Sequence, residues 1–153
     1  MDRRHFLALS SLLAFTGRAR ASDGGYEVTR SDAEWREMLT PLQYKVMRRE
    51  ATEPPGSSPL DKVYDPGMYH CRGCDLALYS SKHKYDSGTG WPSFWKAQKG
   101  AVATKTDFKL IYPRTECHCS RCGSHLGHIF NDGPKPTGKR HCLNGVSLVF
   151  KPA

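Results

Sequence analysis

At 153 residues the chain is long enough for one compact domain and too short for two of ordinary size, which limits the search to a single functional site. Its formal charge of +8 comes from 23 Lys and Arg against 15 Asp and Glu, and the basic residues are scattered, as in KVMRRE and KPTGKR, with no long run. That distribution argues against a nucleic-acid-binding surface, which needs its cations gathered on one face.

The chain opens with MDRRHFLALSSLLAFTGRARASDGG. A charged start, an apolar run from Phe6 to Phe15 and the small-x-small triplet Ala19-Arg20-Ala21 predict a cleaved export signal over residues 1–21. The run is far short of the ~20 residues that span a bilayer, so no membrane anchor is expected after cleavage. Arg3-Arg4 followed by HFLAL resembles a twin-arginine signal, which in bacteria exports folded proteins, and the expected location is therefore the periplasm. The mature domain would be residues 22–153, and losing four arginines and one aspartate would leave it at about +5.

SDAEWREMLTPLQYKVMRREA is the only helical stretch. Ser31 and Glu34 form a capping box, and Thr40-Pro41 starts a second helix with Thr as N-cap and Pro at the first position. TEPPGSSPLD then ends helical structure. From Val63 onward, short apolar or alternating runs are broken by Gly, Pro, Asp and Asn every few residues, which predicts antiparallel β-sheets behind two short N-terminal helices, a mainly-β fold.

Six cysteines in an exported chain invite a three-disulfide reading, but their spacing argues otherwise. Cys71-Arg-Gly-Cys74 and Cys119-Ser-Arg-Cys122 are two C-x-x-C knuckles 44 residues apart. A two-residue spacer lets both thiolates of a knuckle face one ion, and two knuckles supply the four sulfurs of a closed structural zinc site. Spacing does not separate zinc from iron. Gly73 and Gly123 sit where such turns often need positive φ. An alternative ligand set, Cys119, Cys122, His125 and His128, would abandon Cys71 and Cys74.

Two cysteines lie outside this clip. Cys142 is flanked by Arg140 and His141, whose positive charge would lower a thiol pKa, and it enters the apolar run LNGVSLVF, with Asn144 two residues on. A buried, inert cysteine is the competing reading.

The segments KYDSGTGWPSFW and CGSHLGHIFNDGPKPTGKRHCLNG, with the paired knuckles, resemble the zinc-containing B-type methionine-R-sulfoxide reductases over Thr40 to Phe150. The resemblance implies a β-tent-like (Mss4-like) barrel with one structural Zn2+. It also implies an oxidoreductase in which Cys142 attacks the sulfoxide and becomes a sulfenic acid. His125, His128, Asn144, Arg140 and Glu116 would line or organise the polar side of that site, and Trp91, with Phe130, the apolar wall that receives the methyl group. The implied partners are oxidised proteins or peptides and a thioredoxin-like or glutaredoxin-like reductant, with the enzyme acting as a monomer. A non-enzymatic four-cysteine metal module of the rubredoxin or zinc-ribbon kind is the alternative, and it leaves Cys142, Trp91 and the two histidines without a purpose.

The chain departs from the family pattern at three positions. Thr89 stands where many members carry a resolving cysteine. Cys117 is then the candidate resolving thiol, although strand alternation would turn it away from Glu116 towards the side of Cys119; an external thiol is the competing resolver. His141 replaces the usual Tyr or Phe and is read as further thiolate stabilisation. Gly145, where Ser is common, is expected to change little.

Overall fold

The computed structural model describes residues 25–153, so the expected leader over residues 1–21 lies outside the described residues. Helix α1 (Asp32–Met38) begins at the Ser31–Glu34 capping box, and α2 (Pro41–Arg49) begins at Thr40 with Gln43 completing a second box. Helices this short do not persist alone in water, and burial holds them. Trp35 is 2% exposed, with the guanidinium carbons of Arg30 and Arg48 4.8 and 4.5 Å from its ring centroid. Tyr44, Val46 and Met47 bury the inner face of α2 against β7 and the turn after Asn144. Helical structure does not end at TEPPGSSPLD as expected: Ser58 caps a further 3-10 turn, Pro59–Lys62, whose proline enters with its φ already set.

Nine strands follow: β1 (Gly67–Cys71), β2 (Ala77–Ser80), β3 (Lys84–Tyr85), β4 (Ser93–Phe94), β5 (Val102–Asp107), β6 (Arg114–Cys119), β7 (His125–Phe130), β8 (Arg140–Leu143) and β9 (Leu148–Pro152). All pairings are antiparallel, in a three-stranded sheet β2-β1-β9 and a six-stranded sheet β3-β4-β8-β7-β6-β5. The mainly-β architecture with two N-terminal helices is therefore the one the sequence predicts. Tyr69, Leu78, Tyr79, Phe94, Leu143 and Leu148 fill the core, with the Phe94 ring 5.0 Å from Tyr69 and 4.6 Å from Tyr79.

The run after Cys142 is not one strand. The chain leaves the large sheet at Asn144, makes a 3-10 turn over Gly145–Ser147 and enters the small sheet as β9. Buried Glu53 causes the break, because its carboxylate accepts from the backbone N–H of Gly145 (2.6 Å) and Val146 (3.0 Å) and draws them out of a ladder. Gly145 is also not a neutral replacement for serine, since any Cβ there would overlap the Ser58 hydroxyl.

Candidate active site and metal clip

Cys71 ends β1, Cys119 ends β6, and Cys74 and Cys122 lie in the turns that follow them. The four sulfurs lie within 4.8 Å of one another, with Cys71–Cys122 at 3.6 Å and Cys74–Cys119 at 3.4 Å. All six cysteines are free thiols, which removes the disulfide reading. Four Zn–S bonds of ~2.3 Å in a tetrahedron need sulfurs about 3.8 Å apart, so this quartet could hold one metal ion while joining the two sheets. Gly123 has the expected positive φ of 71°. Gly73 does not: the left-handed residue of the first knuckle is Asp75 (φ 64°), and Gly73 is needed because a Cβ would press on Cys122 Sγ and Trp35, each at 3.2 Å. The alternative Cys-Cys-His-His set is excluded by the histidines' partners, Glu116 and Asp107.

The large sheet builds the second site. Opposed residues of an antiparallel pair share a face, so the register Lys105–Glu116–His128–Cys142–Ser93 sets one residue from each of five strands in a row. His125, three residues from His128, would alternate to the other face of a regular strand. It does not, because Leu126 is an extra residue: Cys117 pairs with Gly127 but His118 pairs with His125. The bulge returns His125 to the face of Glu116 and puts the two imidazole centroids 5.5 Å apart.

Glu116 is 2% exposed and accepts from His125 Nδ1 (2.7 Å) and His118 Nδ1 (2.8 Å). Burial works against its ionisation, but the two imidazole donors outweigh that and hold the carboxyl at about 2. It is thus an organiser beneath the site, and the bond leaves His125 Nε2 buried without a partner. His128 Nε2 bonds Asp107 Oδ2 at 2.7 Å. Burial lowers the His128 pKa despite that carboxylate.

Arg140 is gripped by both oxygens of Asp132 (2.9 and 3.0 Å), and its guanidinium lies 4.4 Å from the Phe130 ring centroid. Burial raises the Cys142 thiol pKa, and the charge of Arg140 with hydrogen bonds from Thr89 and Arg140 offsets only part of that. The expected net lowering is therefore not met in the free protein. His141 adds nothing to it: it faces the core, bonds the Tyr79 hydroxyl through Nδ1 at 2.9 Å, and burial drops it to about 4, so it is neutral. We expect alkylation of Cys142, followed by peptide mass spectrometry, to accelerate with pH through a midpoint above that of an ordinary thiol. Arg140→Met should move that midpoint higher and slow the reaction several-fold at pH 8; an unchanged profile would show that Arg140 does not act on the sulfur.

Asn144 does not extend β8 beside Cys142. Its Oδ1 accepts from Glu53 N (2.9 Å) and its Nδ2 donates to Leu126 O (3.1 Å), so it braces the strand ends. Trp91, half-buried, donates from Nε1 to Glu53 O at 3.0 Å and stands two residues before Ser93, the cross-strand partner of Cys142. Cys117 is fully buried on the core face with β7 between it and Cys142, and burial pushes its thiol far up. The structure does not bring those two sulfurs together.

Four contributors are not legible in the sequence: Asp107, Asp132, Glu53 and the hydroxyl of Thr89. Thr89 reads there only as a missing cysteine, yet its hydroxyl helps to draw the Cys142 thiol pKa down and, at 2.8 Å, bonds Ser87, which in turn bonds Ser93 at 2.7 Å. The other three reach the site across 21, 8 and 91 positions, and no local pattern signals such pairs.

Comparison with known proteins places the chain in a family. Residues 39–152 match the SelR domain family model. The chain is 49% identical over 127 residues to the peptide methionine sulfoxide reductase MsrB of Leptospira interrogans, covering 82% of this chain and 97% of that protein. It is 50% identical over 125 residues to MsrB of Methanosarcina barkeri, covering 81% and 88%. The Yippee-like domain of Mis18, a solved structure, aligns with a TM-score of 0.45 at 16% identity over 58% of this chain and 98% of that one. With the SelR match spanning nearly all the described residues and relatives near half-identical over four-fifths of the chain, the protein belongs to the SelR domain family, that of the MsrB peptide methionine sulfoxide reductases.

Proposed function

We propose that the protein reduces methionine-R-sulfoxide in oxidised proteins, with Cys142 as the atom that takes the oxygen. The observation that carries this reading is a half-buried thiol, outside the metal clip, on the face that also holds Arg140, His128 and Phe130, with His128 its cross-strand partner and the Arg140 charge drawing its pKa down. The thiolate attacks the sulfoxide sulfur, and the oxygen's growing negative charge meets the Arg140 guanidinium and takes a proton from the side of His128. Methionine leaves reduced by two electrons, and Cys142 becomes a sulfenic acid, oxidised by two. A thiol of a thioredoxin-like or glutaredoxin-like protein then attacks that sulfur and releases water, and a second thiol frees Cys142 as a disulfide forms on the reductant. The separation of Cys117 from Cys142 supports an external resolver.

Trp91 and Phe130 form the apolar side that receives the methyl group, which gives a preference between epimers, since the S form would set its oxygen against the rings and away from the Arg140 charge. A single zinc ion held by Cys71, Cys74, Cys119 and Cys122 would supply a crosslink and no reactive position. The twin arginines and the Ala19-Arg20-Ala21 triplet support export of the folded, metal-loaded domain to the periplasm. A bare four-cysteine module would have no use for the second cluster. Turnover of separated epimers of N-acetyl-methionine sulfoxide amide with dithiothreitol tests the reading: the R form should be reduced at least about 100-fold faster than the S form. Equal rates, or none, would refute it.

A further inference from the structure

The loop joining β5 to β6 carries most of the exposed apolar bulk among the described residues: Phe108 is 75% exposed, Leu110 49%, Ile111 105% and Tyr112 64%. Four large apolar side chains on one six-residue loop form a patch that a soluble surface does not keep without use. Its root is polar and fixed. Asp107 accepts from Lys109 N (2.9 Å) and Arg114 (2.7 Å), while Glu50 holds both Lys105 and Lys109. The tip is therefore presented outward from a braced base.

That base is continuous with the proposed reaction site. Asp107, which starts the loop, is the partner of His128, and His128 is directly opposite Cys142. Arg114, which ends it, is on the Glu116 face of the same sheet. From β8 to the β5–β6 hairpin is two to three strand spacings of ~4.8 Å, about 10–14 Å, which an extended peptide at ~3.4 Å per residue covers in three or four residues.

We propose that this loop is a docking surface for the apolar polypeptide that flanks an oxidised methionine, engaging side chains three or four positions from the sulfoxide. Methionine belongs to apolar sequence, and oxidation disrupts the cores that hide it, so the chain that reaches this enzyme carries exposed Leu, Ile and Phe beside the damaged residue. The patch matches that chemistry and lies at the distance such neighbours reach. The proposal rests on the sulfoxide-reductase reading and specifies its substrate as an unfolded apolar segment.

The test compares the full chain with Phe108→Ser/Ile111→Ser, under dithiothreitol so that no protein reductant docks. Three R-sulfoxide substrates are used: N-acetyl-methionine sulfoxide amide, a peptide with Leu or Phe three and four residues from the sulfoxide, and the same peptide with Ser there. Wild type should favour the apolar peptide over the Ser peptide by about fivefold or more in kcat/KM, the size expected for partial burial of two large side chains, and the double variant should lose that preference while reducing the small substrate at the wild-type rate. Equal use of both peptides by wild type, or a preference that survives in the variant, would overturn the docking surface and leave the reductase reading intact. Failure of wild type on all three substrates would overturn the reductase reading itself. Loop-dependent binding to lipid vesicles with no peptide preference would reassign the patch to a membrane surface.

Discussion

Replacing Cys142 by serine is expected to lower turnover of the R-sulfoxide by at least about 10⁴-fold, because in the proposed mechanism the nucleophile and the oxygen acceptor are the same atom. Serine is nearly isosteric and keeps a hydroxyl able to bond Thr89 and Arg140, so the fold and the clip should be unaffected. What disappears is an atom that can be oxidised: no oxygen can be lodged on a serine hydroxyl. The same assay without reductant separates the two cysteines outside the clip. Wild type should release one methionine per enzyme and leave a sulfenic acid on Cys142 that a sulfenate-trapping reagent labels. Cys117→Ser should release the same one, since its sulfur lies on the opposite face of the sheet with β7 between it and Cys142. Measurable steady-state activity in Cys142→Ser would displace this residue from the mechanism, and a change of stoichiometry in Cys117→Ser would return Cys117 to it.

Loss of the clip should have the largest effect on stability. Cys71, Cys119 and Cys122 are at most 1% exposed, and they join the end of the small sheet to the large one. A domain of this size is stable by only about 5–15 kcal/mol, and a structural zinc site in small peptides contributes an apparent 10–16 kcal/mol. Metal removal therefore competes with the whole folding free energy. Cys119→Ser or Cys122→Ser should bind substoichiometric metal and melt more than about 10 °C below wild type, or fail to accumulate as soluble protein. Cys74, the half-buried member, should give the mildest of the four losses. Strong chelation of wild type near its melting transition should unfold it, with metal released in the same step. A Cys119→Ser protein that melted with wild type would show that the quartet contributes nothing to holding the sheets together, and metal analysis of the purified chain decides zinc against iron.

Both outcomes bear on how the site came to be legible. The two capping boxes, the pair of C-x-x-C turns and the crowding of Arg140 around Cys142 span at most a few residues each, so covalent connectivity alone brings their atoms together. The resemblance added the wider set, of which Glu116, His125, His128, Phe130 and Arg140 are on strands of the large sheet, while Asn144 lies just past β8 and, with Glu116, acts as a brace.

Residue order alone spaced four sulfurs for one metal ion and set one thiol beside a guanidinium, and the resemblance added two histidines and a glutamate. Tertiary structure alone decided how they face. One extra residue at Leu126 set both histidines on the Glu116 side, Glu53 ended β8 from 92 positions away, and the packing of Tyr79 turned His141 into the core, where it stays neutral. Strand alternation is a two-residue rule, and a single bulge inverts it. Charge follows burial, which is a property of the packed sheets, and for that reason the Cys142 thiol pKa rises where its sequence neighbours pointed down.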